Sequence, residues 1–170
     1  DLKLIWKNNY YQKKEKKLSP SLNLAYQGNN LIVTDDLSNL YLINIKTGSL
    51  VWKKKNTSSF NSQIKIFENN FFTIDYENVL RSYSIKNGDE NWNYKSENAL
   101  IKNNKKNSLV IDDGNIIFIN EVGDVNAVDL KSGDLIWQTP TQNISILEDS
   151  FSFIYSNIVL DNENIYFSNN

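Results

Sequence analysis

Apolar positions along this chain come in short runs, each ended by turn residues. Leu31, Ile32 and Val33 run into Asp35-Asp36, and Ser38-Asn39 leads into Leu40, Leu42 and Ile45. Lys46-Thr47-Gly48 then breaks the run before Leu50 and Trp52. Runs this short, bounded by Gly, Asn, Asp and Ser, predict antiparallel strands in a meander rather than helices. The pattern repeats without a gap. "NNLIVTDDLSNLYLINIKTGSLVW" from Asn29, "NNFFTIDYENVLRSYSIKNGDENW" from Asn69 and "GNIIFINEVGDVNAVDLKSGDLIW" from Gly114 are each 24 residues long. Turn glycines Gly48, Gly88 and Gly133 fall at intervals of 40 and 45, as do Trp52, Trp92 and Trp137, with Trp6 lying 46 residues earlier. "ENIYFSNN" opens the unit again at Glu163.

A further strand precedes each unit, at Leu22 to Gln27, Gln63 to Glu68 and Ser108 to Asp112. Four short strands in roughly 40–45 residues is the size of one propeller blade. The expected fold class is therefore all-β: a β-propeller fragment of four-stranded antiparallel blades, about three of them complete, with partial ones at both ends. The blades are expected at 22–54, 63–95 and 108–138, the end of a preceding blade at 1–7 and the start of the next at 157–170. A single blade cannot cover both of its faces and must stack on its neighbours. Trp52, Trp92 and Trp137 are expected as wedges between blades, their rings covering the adjoining sheet and their N–H groups finding an acceptor. The turn glycines supply the positive φ that a tight turn demands and let backbone approach an indole closely.

Composition changes this picture mainly by exclusion. The chain has 170 residues, a net charge of −2 and no His, Cys or Met. Without His or Cys, the usual general base, the commonest zinc ligand and a thiolate nucleophile are all missing. The charge balance draws the chain toward neither nucleic acid nor an anionic membrane as a whole. No apolar run approaches the roughly 20 residues of a membrane-spanning helix. With no Met at position 1, the chain reads as a processed product or an excised piece, and any targeting segment is expected upstream of Asp1. Asp35-Asp36, Asp75 and Asp112-Asp113 sit at strand ends, where Asp bonds its own backbone, and none has the spacing of a calcium loop. No catalytic, metal or cofactor-binding residue is therefore assigned. Two features stand out from the scaffold. "KKEKK" at Lys13 to Lys17 reads as a solvated connection, or as a surface attracted to anionic head groups or an acidic partner. The long connection after Trp137 carries Phe151, Phe153 and Tyr155, which are either packed structure or a docking surface for a partner.

The run "AVDLKSGDLIW" resembles the tryptophan-docking motif of the quinoprotein-type (PQQ-like) β-propeller repeat, Ala-x-Asp-x-x-Thr-Gly-x-x-x-Trp. Ala127, Asp129, Gly133 and Trp137 match it, with Ser132 in place of Thr. The first copy keeps Thr47, Gly48 and Trp52, and the second keeps Gly88 and Trp92. Within that repeat family the chain looks most like the BamB-type outer-membrane assembly lipoproteins. That resemblance implies a non-catalytic scaffold in the periplasm of a Gram-negative bacterium, associated with the outer membrane. It also implies a lipid tether outside this stretch and envelope proteins, the β-barrel assembly machinery foremost, as partners, with no cofactor. The same repeat implies two alternatives: a piece of a quinone-dependent dehydrogenase or an extracytoplasmic sensor propeller.

Overall fold

The computed structural model describes residues 3–100, 102, 105–141, 155–162 and 164–168. Three four-stranded antiparallel meanders follow one another. The first holds β1 (Leu22–Gln27), β2 (Asn30–Asp35), β3 (Asn39–Asn44) and β4 (Leu50–Lys55). The second holds β5 (Lys65–Phe67), β6 (Asn70–Ile74), β7 (Val79–Ser84) and β8 (Glu90–Lys95). The third holds β9 (Leu109–Asp112), β10 (Asn115–Ile119), β11 (Asp124–Asp129) and β12 (Leu135–Pro140), and a two-stranded sheet of β13 (Val159–Asp161) and β14 (Asn164–Tyr166) comes last. The first strands of successive sheets lie near one another, β1 by β5 and β5 by β9, so the sheets fan out from a common side. The described strands form no closed ring.

Repetition in sequence becomes repetition in register. Trp52 lies opposite Leu42, Trp92 opposite Ser82 and Trp137 opposite Ala127. Each outer strand carries a bulge immediately after that pair. Such an extra residue adds twist and re-aims the side chains beside it.

The core is divided into layers between sheets. Alternation sends Ile32, Leu40 and Leu42 toward the second sheet, where they meet Phe60, Ile64, Phe71 and Tyr83. Phe72, Ile74 and Leu80 leave the other face of the second sheet and meet Leu109, Ile116, Phe118 and Val128 of the third. Ile117, Ile119, Val125 and Ala127 then face Tyr155 and Ile158. Because both faces are covered, β2, β6 and β10 read as continuous apolar runs instead of alternating ones.

The N-terminal stretch differs from the sequence reading in one respect. "KKEK" is a single helical turn, α1 (Lys13–Lys16), where only a connection was expected. The Gln12 N–H donates to the Glu15 carboxylate at 2.8 Å, closing that turn. Ahead of it, residues 3–12 belong to no strand or helix, and lay Trp6, Tyr10 and Tyr11 on Val33, Tyr41 and Ile43 of the first sheet.

Candidate protein-docking site

The repeated turn assembles from local chemistry. The Asn44 side-chain oxygen accepts the N–H groups of Lys46 and Thr47, and the Asp129 carboxylate accepts those of Lys131 and Ser132. Those donated bonds are the main reason the Asp129 carboxyl sits below the usual range. Thr47 and Ser132 each accept the N–H two residues on. The glycine closes the turn, with Gly48, Gly88 and Gly133 donating N–H to Asn44, Ser84 and Asp129 at 2.8–2.9 Å. Their φ values of 68°, 70° and 80° lie in the left-handed region.

What lands on each turn is the tryptophan of the preceding unit, not of its own. Trp6 Nε1 donates to the Ile45 carbonyl at 2.7 Å, Trp52 Nε1 to Ile85 at 3.0 Å and Trp92 Nε1 to Leu130 at 3.3 Å. In each case the acceptor lies three residues before the glycine on which the ring rests. A Cβ on Gly88 would stand 2.9 Å from the Trp52 ring, and one on Gly133 would stand 2.6 Å from the Trp92 ring. Each indole is half-buried along the outer edge of two sheets. Ala127, fully buried opposite Trp137, leaves room for backbone and ring to approach.

Trp137 holds the motif's position on β12, opposite Ala127. It is 38% exposed, and β12 is exposed along its whole length, including Leu135 and Ile136. Trp52→Ala should lower stability by about 2 kcal/mol, half the range for a fully buried tryptophan. Urea unfolding tests this, and a loss below about 0.5 kcal/mol, the size of a surface change, would refute the latch as the source of the energy.

The strand-end carboxylates are structural. Asp35 accepts the Leu37 and Asn39 N–H groups, Asp75 accepts those of Glu77 and Val79, and Asn120 accepts that of Asp124 at the same point of the third sheet. Asp75 also accepts from Arg81 Nε at 2.9 Å, and Arg81 Nη1 reaches Glu90 at 2.7 Å. Burial disfavours the Arg81 charge, but its hydrogen bonds to Glu90 and Asp75 outweigh that, and its pKa lies above the ordinary value. Tyr11 donates to Asp35 at 2.5 Å, and burial, then that carboxylate, push its hydroxyl far up. Among the described residues, no three His, Cys, Asp or Glu side chains converge as a metal site. Of the aromatic residues in the long connection, Phe151 and Phe153 lie outside the described residues. Tyr155 is buried, with its hydroxyl donating to the Ile119 carbonyl at 2.8 Å, and so belongs to the packing between the third sheet and β13–β14.

Leu22, Leu24, Leu31 and Val33, with Trp6 and Tyr10, line an apolar cavity of about 340 Å³. At the outer edge, Lys53 Nζ lies 3.7 Å from Glu15 and 5.0 Å from the Tyr41 ring centroid, which joins β4 to α1. The Glu15 carboxyl is held below its usual range first by the Gln12 N–H and then, against desolvation, by Lys53, the Asn39 side chain and Lys55. Sequence reasoning missed this meeting of two lysine runs.

Radiating antiparallel four-stranded sheets, latched edge to edge by indole on glycine, define a β-propeller of the quinoprotein type. The family described as "Outer membrane protein assembly factor BamB" matches residues 3–170, and the chain belongs to that family. No curated protein matches it. Among solved structures, the chain is similar to BamB from Moraxella catarrhalis, with TM-score 0.73 and 14% identity over 88% of this chain and 46% of that one. It is also similar to the computationally designed Ika4 protein, with TM-score 0.62 and 10% identity over 88% of this chain and 91% of that one. A europium-containing methanol dehydrogenase gives TM-score 0.60 and 14% identity over 72% of this chain and 26% of that one. At these identities the structural likeness establishes the fold. The chain spans less than half the length of the Moraxella protein.

Proposed function

We propose that the chain is part of a non-catalytic protein-binding scaffold, a BamB-like component of the outer-membrane β-barrel assembly machinery in the periplasm. The observation that carries this reading is the match of the assembly-factor family over residues 3–170. The geometry supports it physically. A rigid stack of latched sheets holds its outer strands and connecting loops at fixed spacing, so several weak contacts can act together on one partner without any bond being made. The repeat-motif residues Gly48, Trp52, Gly88, Trp92, Ala127, Asp129, Gly133 and Trp137 serve that rigidity.

A second reading, a piece of a quinone-dependent dehydrogenase, is supported by the likeness to a europium-containing methanol dehydrogenase. One experiment separates the two. The intact protein, crosslinked in its native envelope, is expected to capture β-barrel assembly components and to bind no pyrroloquinoline quinone in a titration with Ca²⁺. Saturable quinone binding with alcohol oxidation, and no crosslink to the assembly machinery, would assign the enzyme instead.

A further inference from the structure

We propose that the outer edge of the first blade is a docking surface for an anionic lipid bilayer. The proposal goes beyond the scaffold reading and does not depend on it. Folding brings together two lysine runs that lie far apart in sequence. Lys13, Lys14, Lys16 and Lys17 come from α1 and the residue after it, and Lys53 and Lys55 from the end of β4. All six are exposed. The carboxylate set among them is Glu15, already engaged by the Gln12 N–H and by Lys53. Lys54 points the other way and pairs with Asp89 of the second blade at 2.9 Å. Asp36, at the foot of the same sheet, accepts the Ser21 N–H. In a chain whose net charge is −2, this is a local concentration of like charge that folding creates rather than disperses. Clusters of about four to eight basic residues are the size that holds a protein to an anionic membrane surface.

Two observations favour a bilayer over an acidic polypeptide. Leu18, directly after the lysine run, is 64% exposed, and an aliphatic side chain beside lysines is what enters the boundary between head groups and acyl chains. The patch also lacks the planar fork that recognises individual carboxylates. The chain's single arginine, Arg81, is committed to Asp75 and Glu90 within the second sheet. Ammonium groups on flexible stems act instead as point charges suited to a diffuse layer of phosphates.

The test is sedimentation of the intact protein with vesicles of phosphatidylethanolamine and phosphatidylglycerol, with phosphatidylcholine vesicles as the neutral control. Binding is expected on the anionic vesicles alone and should fall as salt is raised. Each Lys→Gln change at positions 13, 14, 16 or 17 should reduce the partition coefficient about fivefold. Lys17→Gln with Lys55→Gln should act like Lys13→Gln with Lys14→Gln, although the two pairs touch different elements. Leu18→Ser should weaken vesicle binding and leave binding to polyglutamate unchanged. Circular dichroism confirms that each variant is folded. Equal sedimentation with neutral vesicles, indifference to the lysine changes, or binding to polyglutamate without binding to vesicles would overturn the proposal.

Discussion

Asp75→Ala should lower the unfolding free energy by about 3–5 kcal/mol, the range for removing one partner of a buried ion pair. Asp75 is completely buried, and both of its oxygens are occupied. One holds the turn between β6 and β7 through the Glu77 and Val79 N–H groups, and the other receives Arg81 at 2.9 Å and Asn56 at 3.3 Å. Alanine orphans the Glu77 and Val79 N–H groups and takes one acceptor each from Arg81 and Asn56, and buried donors without acceptors are the expensive part of the loss. Arg81 keeps Glu90 at 2.7 Å, which places the expected value toward the lower end of the range. The other blades supply a control. Where the second sheet has Asp75 and Arg81, the third has Asn120 and Asn126, and Asn120 still accepts the turn N–H of Asp124 at 2.8 Å. Asp75→Asn alone should therefore keep the turn but set an amide against the guanidinium. Adding Arg81→Asn should recover part of the loss, although it removes a second charged residue. Urea titration of the four proteins of this cycle measures the coupling. Strict additivity of the two changes would exclude the pair as the stabilising unit.

The blades were legible in the sequence because each carries its own punctuation. Turn glycine, docking tryptophan and the apolar run of the second strand recur in phase, and each has a local physical cause. The partner of each tryptophan was harder to read. Gly48 and Trp52 share one repeat, yet Trp52 rests on Gly88 and Gly48 receives Trp6. Sequence alignment groups residues by unit, whereas the latch exists only between units. The helical turn α1 was invisible for a different reason, since "KKEK" has no apolar face and spans only four residues. The basic edge depends on β4 ending beside α1, so neither lysine run announces the other. Tyr155 read either as packed structure or as a docking residue because it lies in a long connection, and its hydroxyl bonds Ile119 inside the packed layer.

Gly133→Ala should destabilise the protein by about 3 kcal/mol, and Gly114→Ala by only about 1 kcal/mol. Both residues are left-handed, with φ of 80° and 76°. A Cβ in that conformation costs roughly 1–2 kcal/mol wherever it is placed. The difference between the two sites is what the Cβ meets. At Gly114 nothing lies within 4 Å, whereas at Gly133 it would stand 2.6 Å from two atoms of the Trp92 ring. That ring cannot simply swing aside, because its Nε1–H is held by the Leu130 carbonyl and its face is packed against Phe72. Forced overpacking of this kind costs about 1–3 kcal/mol more. The clash term should vanish when the ring is removed. In a Trp92→Ala background, Gly133→Ala should add only the backbone cost of about 1 kcal/mol, the same as Gly114→Ala in either background. A non-additive cycle at Gly133 beside an additive one at Gly114, read by urea unfolding, would locate the energy in the contact between blades. If the cycle at Gly133 is additive too, the glycine serves its own turn and the indole is not what requires it.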